Sequence, residues 1–191
     1  PIAFAILPFC PHSSDAAEMI HEAKRDILLH LPMEPRNSTI NPGEGALFRW
    51  MGNSDVREQL EKDLESVPYA TGVNNHMGSA FMEDEQKLSI VFSALQERGL
   101  FFIDSRTTPH SQAAAAAKEI SIRFASRTLF LDNDNQQELI FSTIMNHLNN
   151  NSTRSMIVIG HPYPATIGAL KKAVPLIQAK GIRIVPPSAM V

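Results

Sequence analysis

Three histidines and an aspartate close four short apolar runs in this chain: Ile27-Leu28-Leu29-His30, Gly72-Val73-Asn74-Asn75-His76, Phe101-Phe102-Ile103-Asp104 and Met156-Ile157-Val158-Ile159-Gly160-His161. Imidazole nitrogen and carboxylate oxygen are good ligands for zinc and similar divalent ions. Imidazole also titrates near neutrality, which suits general acid or base work. Apolar runs of this length form strands that are buried on both faces when they pair in parallel. The carboxyl ends of parallel strands share one face of an α/β protein. Residues distant in sequence can therefore meet there, and the pattern points to a metal site or an acid–base site.

Each candidate has a plainer reading beside the chemical one. His30 opens His30-Leu31-Pro32-Met33-Glu34, where Pro32 argues against the regular helix that would place His30 and Glu34 on one face. It is a metal ligand or a hydrogen-bonded histidine at a strand end. Asn74-Asn75-His76-Met77-Gly78-Ser79 packs amide, imidazole and hydroxyl groups between a strand and a helix. These groups form a site, or a turn whose asparagines bond their own backbone. Asp104 and Arg106 form a structural ion pair, or orient a histidine and hold an oxyanion or carboxylate. Asp132-Asn133-Asp134 resembles a helix N-cap cluster. His161 is an acid or base, or a buried histidine bonded to backbone. His12, His21, His110 and His147 fall in helices and loops and are weaker candidates.

These residues need elements to position them. Strands are predicted at 3–7, 27–30, 72–75, 100–104, 127–131, 156–160 and 182–185, from short apolar runs ended by Pro, Gly or polar residues. Helices are predicted near 13–24, 53–66, 83–98, 111–119, 135–149 and 165–179, with apolar residues at helical spacing and caps such as Ser13 or Ser14, Asn53 or Ser54, and Gly99. Residues 31–52 carry three prolines and three glycines together with Leu47, Phe48 and Trp50, and read as an ordered loop covering a site. Strand and helix alternate about seven times without repeats, which argues for a parallel α/β architecture. A barrel and an open doubly wound sheet both fit; polar groups at nearly every strand end favour a barrel-like closure.

Composition narrows the classes. The 191 residues are 43% hydrophobic and 19% charged, as in an ordinary globular protein, and suffice for one buried domain, so 1–191 is expected to be a single domain. A formal net charge of −3 disfavours nucleic acid as a partner. No run approaches the roughly 20 apolar residues of a membrane-spanning helix. Cys10 is alone, so no internal disulfide forms. The start Pro1-Ile2-Ala3-Phe4 lacks a signal peptide's basic region and reads as part of a longer precursor. Phosphate loops, nucleophile elbows and paired-cysteine motifs are missing, which leaves metal-assisted hydrolysis as the best fit to the inventory.

Five segments carry a family resemblance: residues 28–35 (LLHLPMEP), 72–79 (GVNNHMGS), 101–108 (FFIDSRTT), 130–134 (FLDND) and 159–162 (IGHP). Together they resemble the divergent polysaccharide deacetylases, in that family's order and over nearly the whole chain. The resemblance implies a distorted (β/α) barrel of about seven parallel strands. It implies a divalent metal, usually zinc, and removal of acetyl groups from N-acetylated sugars in envelope polysaccharide. It casts His30 and His76 as metal ligands, His161 as the general acid, Asp104 as a supporting catalytic residue, and Glu34, Asn75 and Arg106 as substrate-binding groups. Glu34 stands where the broader superfamily carries the second histidine of a His-x-x-x-His motif. The aspartate pair that normally ends the first strand is not in this chain and is expected in a preceding segment, along with the first strand itself. A periplasmic or exported location and an envelope protein partner follow from the same resemblance. The competing expectation is a non-catalytic envelope protein that binds glycan or a partner on the same fold; a different metal-assisted amide or ester hydrolysis is a third.

Overall fold

The computed structural model describes residues 2–150 and 155–191. The chain forms two compact units, Pro1–Ser126 with Pro186–Val191, and Arg127–Val185. The first holds a five-stranded parallel sheet in sequential order, built from β1 (Phe4–Ile6), β2 (Ile27–Met33), β3 (Gly72–Met77), β4 (Phe101–Asp104) and β5 (Phe124–Ser126). Helices α1 (Ser13–Glu22), α2 (Asn53–Ser66), α3 (Glu85–Glu97) and α4 (Ala113–Ile120) alternate with these strands.

Side chains on a strand alternate between faces, and here the two faces have different tasks. Ile27, Leu29, Leu31 and Met33 of β2, Val73 of β3 and Phe102 of β4 join the apolar stripes of the helices in one core, with Val56, Leu60, Leu88, Val91, Phe92 and Ala116. The opposite face of the same strands carries Leu28 and His30, Gly72, Asn74 and His76, and Phe101 and Ile103. Register places Leu28 beside Gly72, His30 beside Asn74 and Pro32 beside His76. Gly72 is required there, because a Cβ on it would lie 2.4 Å from the Phe101 ring.

β2 runs to Met33, past the expected end at His30 and through Pro32. The strand survives proline because Pro32 still accepts through its carbonyl, from Leu47 N–H at 3.0 Å, and the missing donor costs only one ladder bond. The loop that follows is ordered by the parallel bridge of Leu47 with Met33. At α1 the cap is His12 rather than Ser13, and at α2 it is Gly52, whose N–H donates to Asp55 Oδ2 at 3.1 Å.

The second unit pairs β6 (Leu129–Phe130) in parallel with β7 (Val158–Ile159). Helices α5 (Gln137–Asn150) and α6 (Pro164–Ala179) pack through Ile140, Ile144, Leu148, Ala169, Ala173 and Ile177. Residues 182–185 do not form the expected strand. Ile182 and Ile184 pack against this core instead, so their alternation is satisfied by burial without a ladder. The α/β fold and its parallel strands are as expected; among the described residues the strands divide into a sheet of five and a pair.

Candidate functional site

His30, Asn74 and His76 line up on the non-helical face of the first unit's sheet. Asn74 is only 3% exposed, and its amide faces two partners. Its Nδ2 donates to Ser105 Oγ at 3.2 Å, and its Oδ1 meets His30 Nδ1 at 3.1 Å. An amide oxygen can only accept, so this network assigns the His30 proton to Nδ1 and leaves the Nε2 lone pair on the far side of the ring. That Nε2 faces His76 Nδ1 at 3.1 Å, with the rings nearly edge to face. Two imidazole nitrogens turned towards one another either share a proton or share a cation.

Around this pair the carboxyl ends of the strands are fastened by side chains. Asn75, on the helical face, is buried; its Oδ1 accepts from Ser105 N–H at 2.8 Å, and its Nδ2 donates to Met77 O and Thr107 Oγ1. It clamps the loop after β4 onto β3. Asp104 is buried and holds the same loop, accepting from Arg106 N–H at 2.7 Å and from Ser111 Oγ at 2.8 Å. The group that orients His30 is thus Asn74, while Asp104 orders the backbone that presents Ser105 and Arg106. Met77 and Arg106 both adopt left-handed backbone, φ 52° each, just where their strands leave the sheet, a strained geometry often retained around sites. The Arg106 side chain is on the surface.

Glu34 turns towards the loop after β2. Its Oε2 accepts from Arg49 N–H at 2.7 Å and from Arg49 Nε at 3.3 Å. Arg36 grips Glu83 with paired bonds of 2.7 and 2.8 Å, and Thr108 donates to the same carboxylate. The Arg36 bond, then the Thr108 bond, hold the Glu83 carboxyl below its ordinary pKa.

In the second unit, adjacent parallel strands bring Asp132 and His161 together at their carboxyl ends. Asp132 Oδ2 accepts from His161 N–H at 2.6 Å and from the buried Thr166 hydroxyl at 2.8 Å, and Oδ1 lies 3.0 Å from His161 Nδ1. The carboxylate is fully buried, whereas the imidazole is 52% exposed. Asp132 thereby fixes the proton on Nδ1 and turns Nε2 outward, the arrangement of an oriented acid or base. Phe130 and Tyr163 flank the ring.

A sequence model described as divergent polysaccharide deacetylase matches residues 1–191. The chain belongs to the divergent polysaccharide deacetylase family. Among its relatives, an uncharacterized protein of Haemophilus influenzae is 36% identical over 173 residues, spanning 89% of this chain and 61% of that protein. The uncharacterized protein YibQ of Escherichia coli is 35% identical over 176 residues, spanning 91% of this chain and 54% of that one. The chain therefore spans between about half and three-fifths of the curated relatives it matches. The crystal structure of the uncharacterized protein ATU2773 from Agrobacterium tumefaciens superposes with a TM-score of 0.86 at 22% identity, covering all of this chain and 87% of that one. That likeness concerns the fold.

For a divergent polysaccharide deacetylase the donor set can be tested against a divalent ion. His30 and His76 fit as two ligands: both are nitrogen donors, their ring nitrogens converge, and the His30 tautomer is fixed by a hydrogen bond behind it, as metal-binding histidines require. Among the described residues, no third His, Cys, Asp or Glu joins them in a cluster that could hold a metal; the carboxylates of Glu34 and Asp104 are bonded in their own loops. The sequence reads Asp132 as part of an N-cap cluster and Asn74 as a site or turn residue, and neither reading gives the histidine partner that each acquires. Asp132 carried a usable signal, since it ends an apolar run in the same manner as Asp104. Asn74 carried a subtler one, lying two residues before His76 on a strand and hence on the same face.

Proposed function

We propose that the chain is a metal-dependent hydrolase that removes acetyl groups from N-acetylated sugars of envelope polysaccharide. The observation that carries the reading is the convergence of His30 Nε2 and His76 Nδ1 with Asn74 fixing the tautomer, in a chain of this family. His30 and His76 hold the cation, zinc by the chemistry of the donors. When bound, that ion supplies Lewis acidity and lowers the pKa of water. Asn74 and Ser105 keep His30 in the neutral, Nδ1-protonated form that binding needs. In the second unit, the bond from His161 Nδ1–H to Asp132 turns Nε2 outward, and His161 takes the part of the general acid that the family resemblance casts for it. Arg106 recognises substrate oxygens; Glu34 and Asn75 hold the loops that shape the substrate side, and Asp104 holds Arg106 in place.

Elemental analysis and equilibrium dialysis of the purified protein test the metal. Stoichiometric zinc is expected in the wild type, with loss in His30→Ala and His76→Ala. Asn74→Ala should weaken metal affinity about 10–100-fold, the usual effect of removing the group behind a ligating histidine. Amine release from a panel of acetylated sugars, with and without chelator, tests the reaction. Protein that binds no divalent ion and releases no amine, yet captures acetylated glycan, would replace the hydrolase with a glycan-binding protein.

A further inference from the structure

The loop after β2 carries a feature that neither the core nor the histidine pair uses. Leu47 is fully buried beside Met33, accepting from Glu34 N–H at 2.9 Å. The next four residues close a turn in which Met51 N–H donates to Phe48 O at 3.1 Å and Phe48 N–H contacts Met51 Sδ at 3.3 Å. Arg49 is tied to Glu34 through its backbone and side chain, and Lys87 Nζ donates to Met51 O. This braced turn holds Trp50 78% exposed, with the Phe48 ring stacked on it at 5.6 Å and 24°. Burying an aromatic side chain is worth a few kcal/mol, so a rigid turn that presents an indole to water is a poor solution for stability alone.

We infer that Phe48 and Trp50 form a stacking platform for one pyranose ring of an N-acetylated glycan, with Arg49 beside it to receive ring hydroxyls. The inference rests on the carbohydrate reading above and adds a second subsite to it. The flat face of a pyranose presents C–H groups with partial positive charge, which match the negative face of the indole. Its hydroxyls lie at the edge, where they meet Arg49 or stay wet. A protein partner fits less well. A stable interface needs about 800 Å² per side with a core poor in charge, whereas exposed Arg49 sits between the two aromatic residues in the chain and exposed Asn53 and Ser54 follow the turn.

The turn is bonded to Glu34, four residues beyond His30. At about 3.3 Å per strand residue this is roughly 13 Å along the chain. The platform therefore takes a neighbouring sugar of an oligomer, not the one whose acetyl group reacts, and binding should strengthen with chain length.

Trp50 is the one tryptophan of the 191-residue chain and reports on its own occupancy. The probes are N-acetylglucosamine and its linear oligomers, followed by tryptophan emission and by calorimetry. A saturable blue shift is expected with oligomers and little change with the monosaccharide. Trp50→Phe should abolish the signal while largely keeping calorimetric affinity. Trp50→Ala, with its fold checked by circular dichroism, should lose about tenfold in oligomer affinity, the size of one aromatic stacking contact. Oligomer binding at wild-type affinity in Trp50→Ala overturns the platform and leaves the carbohydrate reading intact. Absence of calorimetric binding by any of these sugars to the wild type overturns both. An emission shift that follows protein concentration alone, with dimers in sedimentation, overturns it in favour of a second copy on the same surface.

Discussion

Replacing Asp63 by asparagine should make the protein more stable at neutral and alkaline pH, and the gain should vanish in acid. Asp63 lies on the buried stripe of α2 with Val56, Leu60 and Leu64, and is fully buried. Gly45 roofs it so closely that a Cβ there would lie 2.4 Å from Asp63 Oδ1. Gln59 Nε2 donates to Oδ1 at 2.9 Å, while Oδ2 has no hydrogen-bond partner. Burial, only partly offset by the Gln59 bond, pushes the carboxyl up from 3.8 to about 7. Because the folded state then holds its proton more tightly than the unfolded state, this group's effect is benign below the unfolded value. Stability falls as pH rises from about 4 towards 7 and levels off above it. The gap corresponds to roughly 4 kcal/mol, falling at about 1.4 kcal/mol per pH unit.

Asp63→Asn keeps an acceptor for Gln59 and carries no charge at any pH. Urea unfolding by circular dichroism at several values between about pH 4 and pH 8.5 measures the difference between the two proteins, in which the remaining titrating groups cancel. Hydrogen exchange along Asn53–Ser66 assigns the effect to this helix. The difference should be near zero in acid and reach a few kcal/mol in favour of the variant above about pH 7. A difference that does not change with pH would refute the argument from burial.

Gly45→Ala should cost about 2 kcal/mol or more, since φ at Gly45 is 80° and the new methyl group would meet Asp63 and Phe9; combining it with Asp63→Ala should recover part of the loss in a double-mutant cycle by urea unfolding. Asp132→Ala should release the His161 ring, so that nitrogen NMR shows both tautomers where the wild type shows Nδ1–H alone. It should also destabilise the second unit by about 1–3 kcal/mol, because Thr166 and the His161 backbone N–H lose their acceptor. A single tautomer in Asp132→Ala would mean that packing by Phe130 and Tyr163, not the carboxylate, sets the ring.

Six helices and most strands were legible because each depends on a local pattern. Leu88, Val91, Phe92 and Leu95 announce α3, and Ile27, Leu28 and Leu29 announce β2. Errors came where one run served two partners. The stretch from Phe124 to Phe130 contains two strands, one bonded to β4 and one to β7, although it reads as a single strand at 127–131. Asp63 was invisible for the opposite reason: it sits at a stripe position by spacing, but a carboxylate there is expected to point outward unless the roof over it is known.

By itself, the sequence determined the alternation of parallel strands and helices, the strand-end positions of His76, Asp104 and His161, and the family; His30 lies inside β2 instead. These follow from hydrophobic period, from turn chemistry and from residue identity. Only the tertiary structure decided which partner each residue acquired. Asn74 stands behind His30 because β2 and β3 pair in a register that sets those two side by side. Asp132 stands behind His161 because β6 and β7 are neighbours. Asp104 serves its own loop instead. Hydrogen-bond partners depend on register and on the face of the sheet, which long-range packing selects, and a one-residue slip would have sent every one of these side chains to the other side.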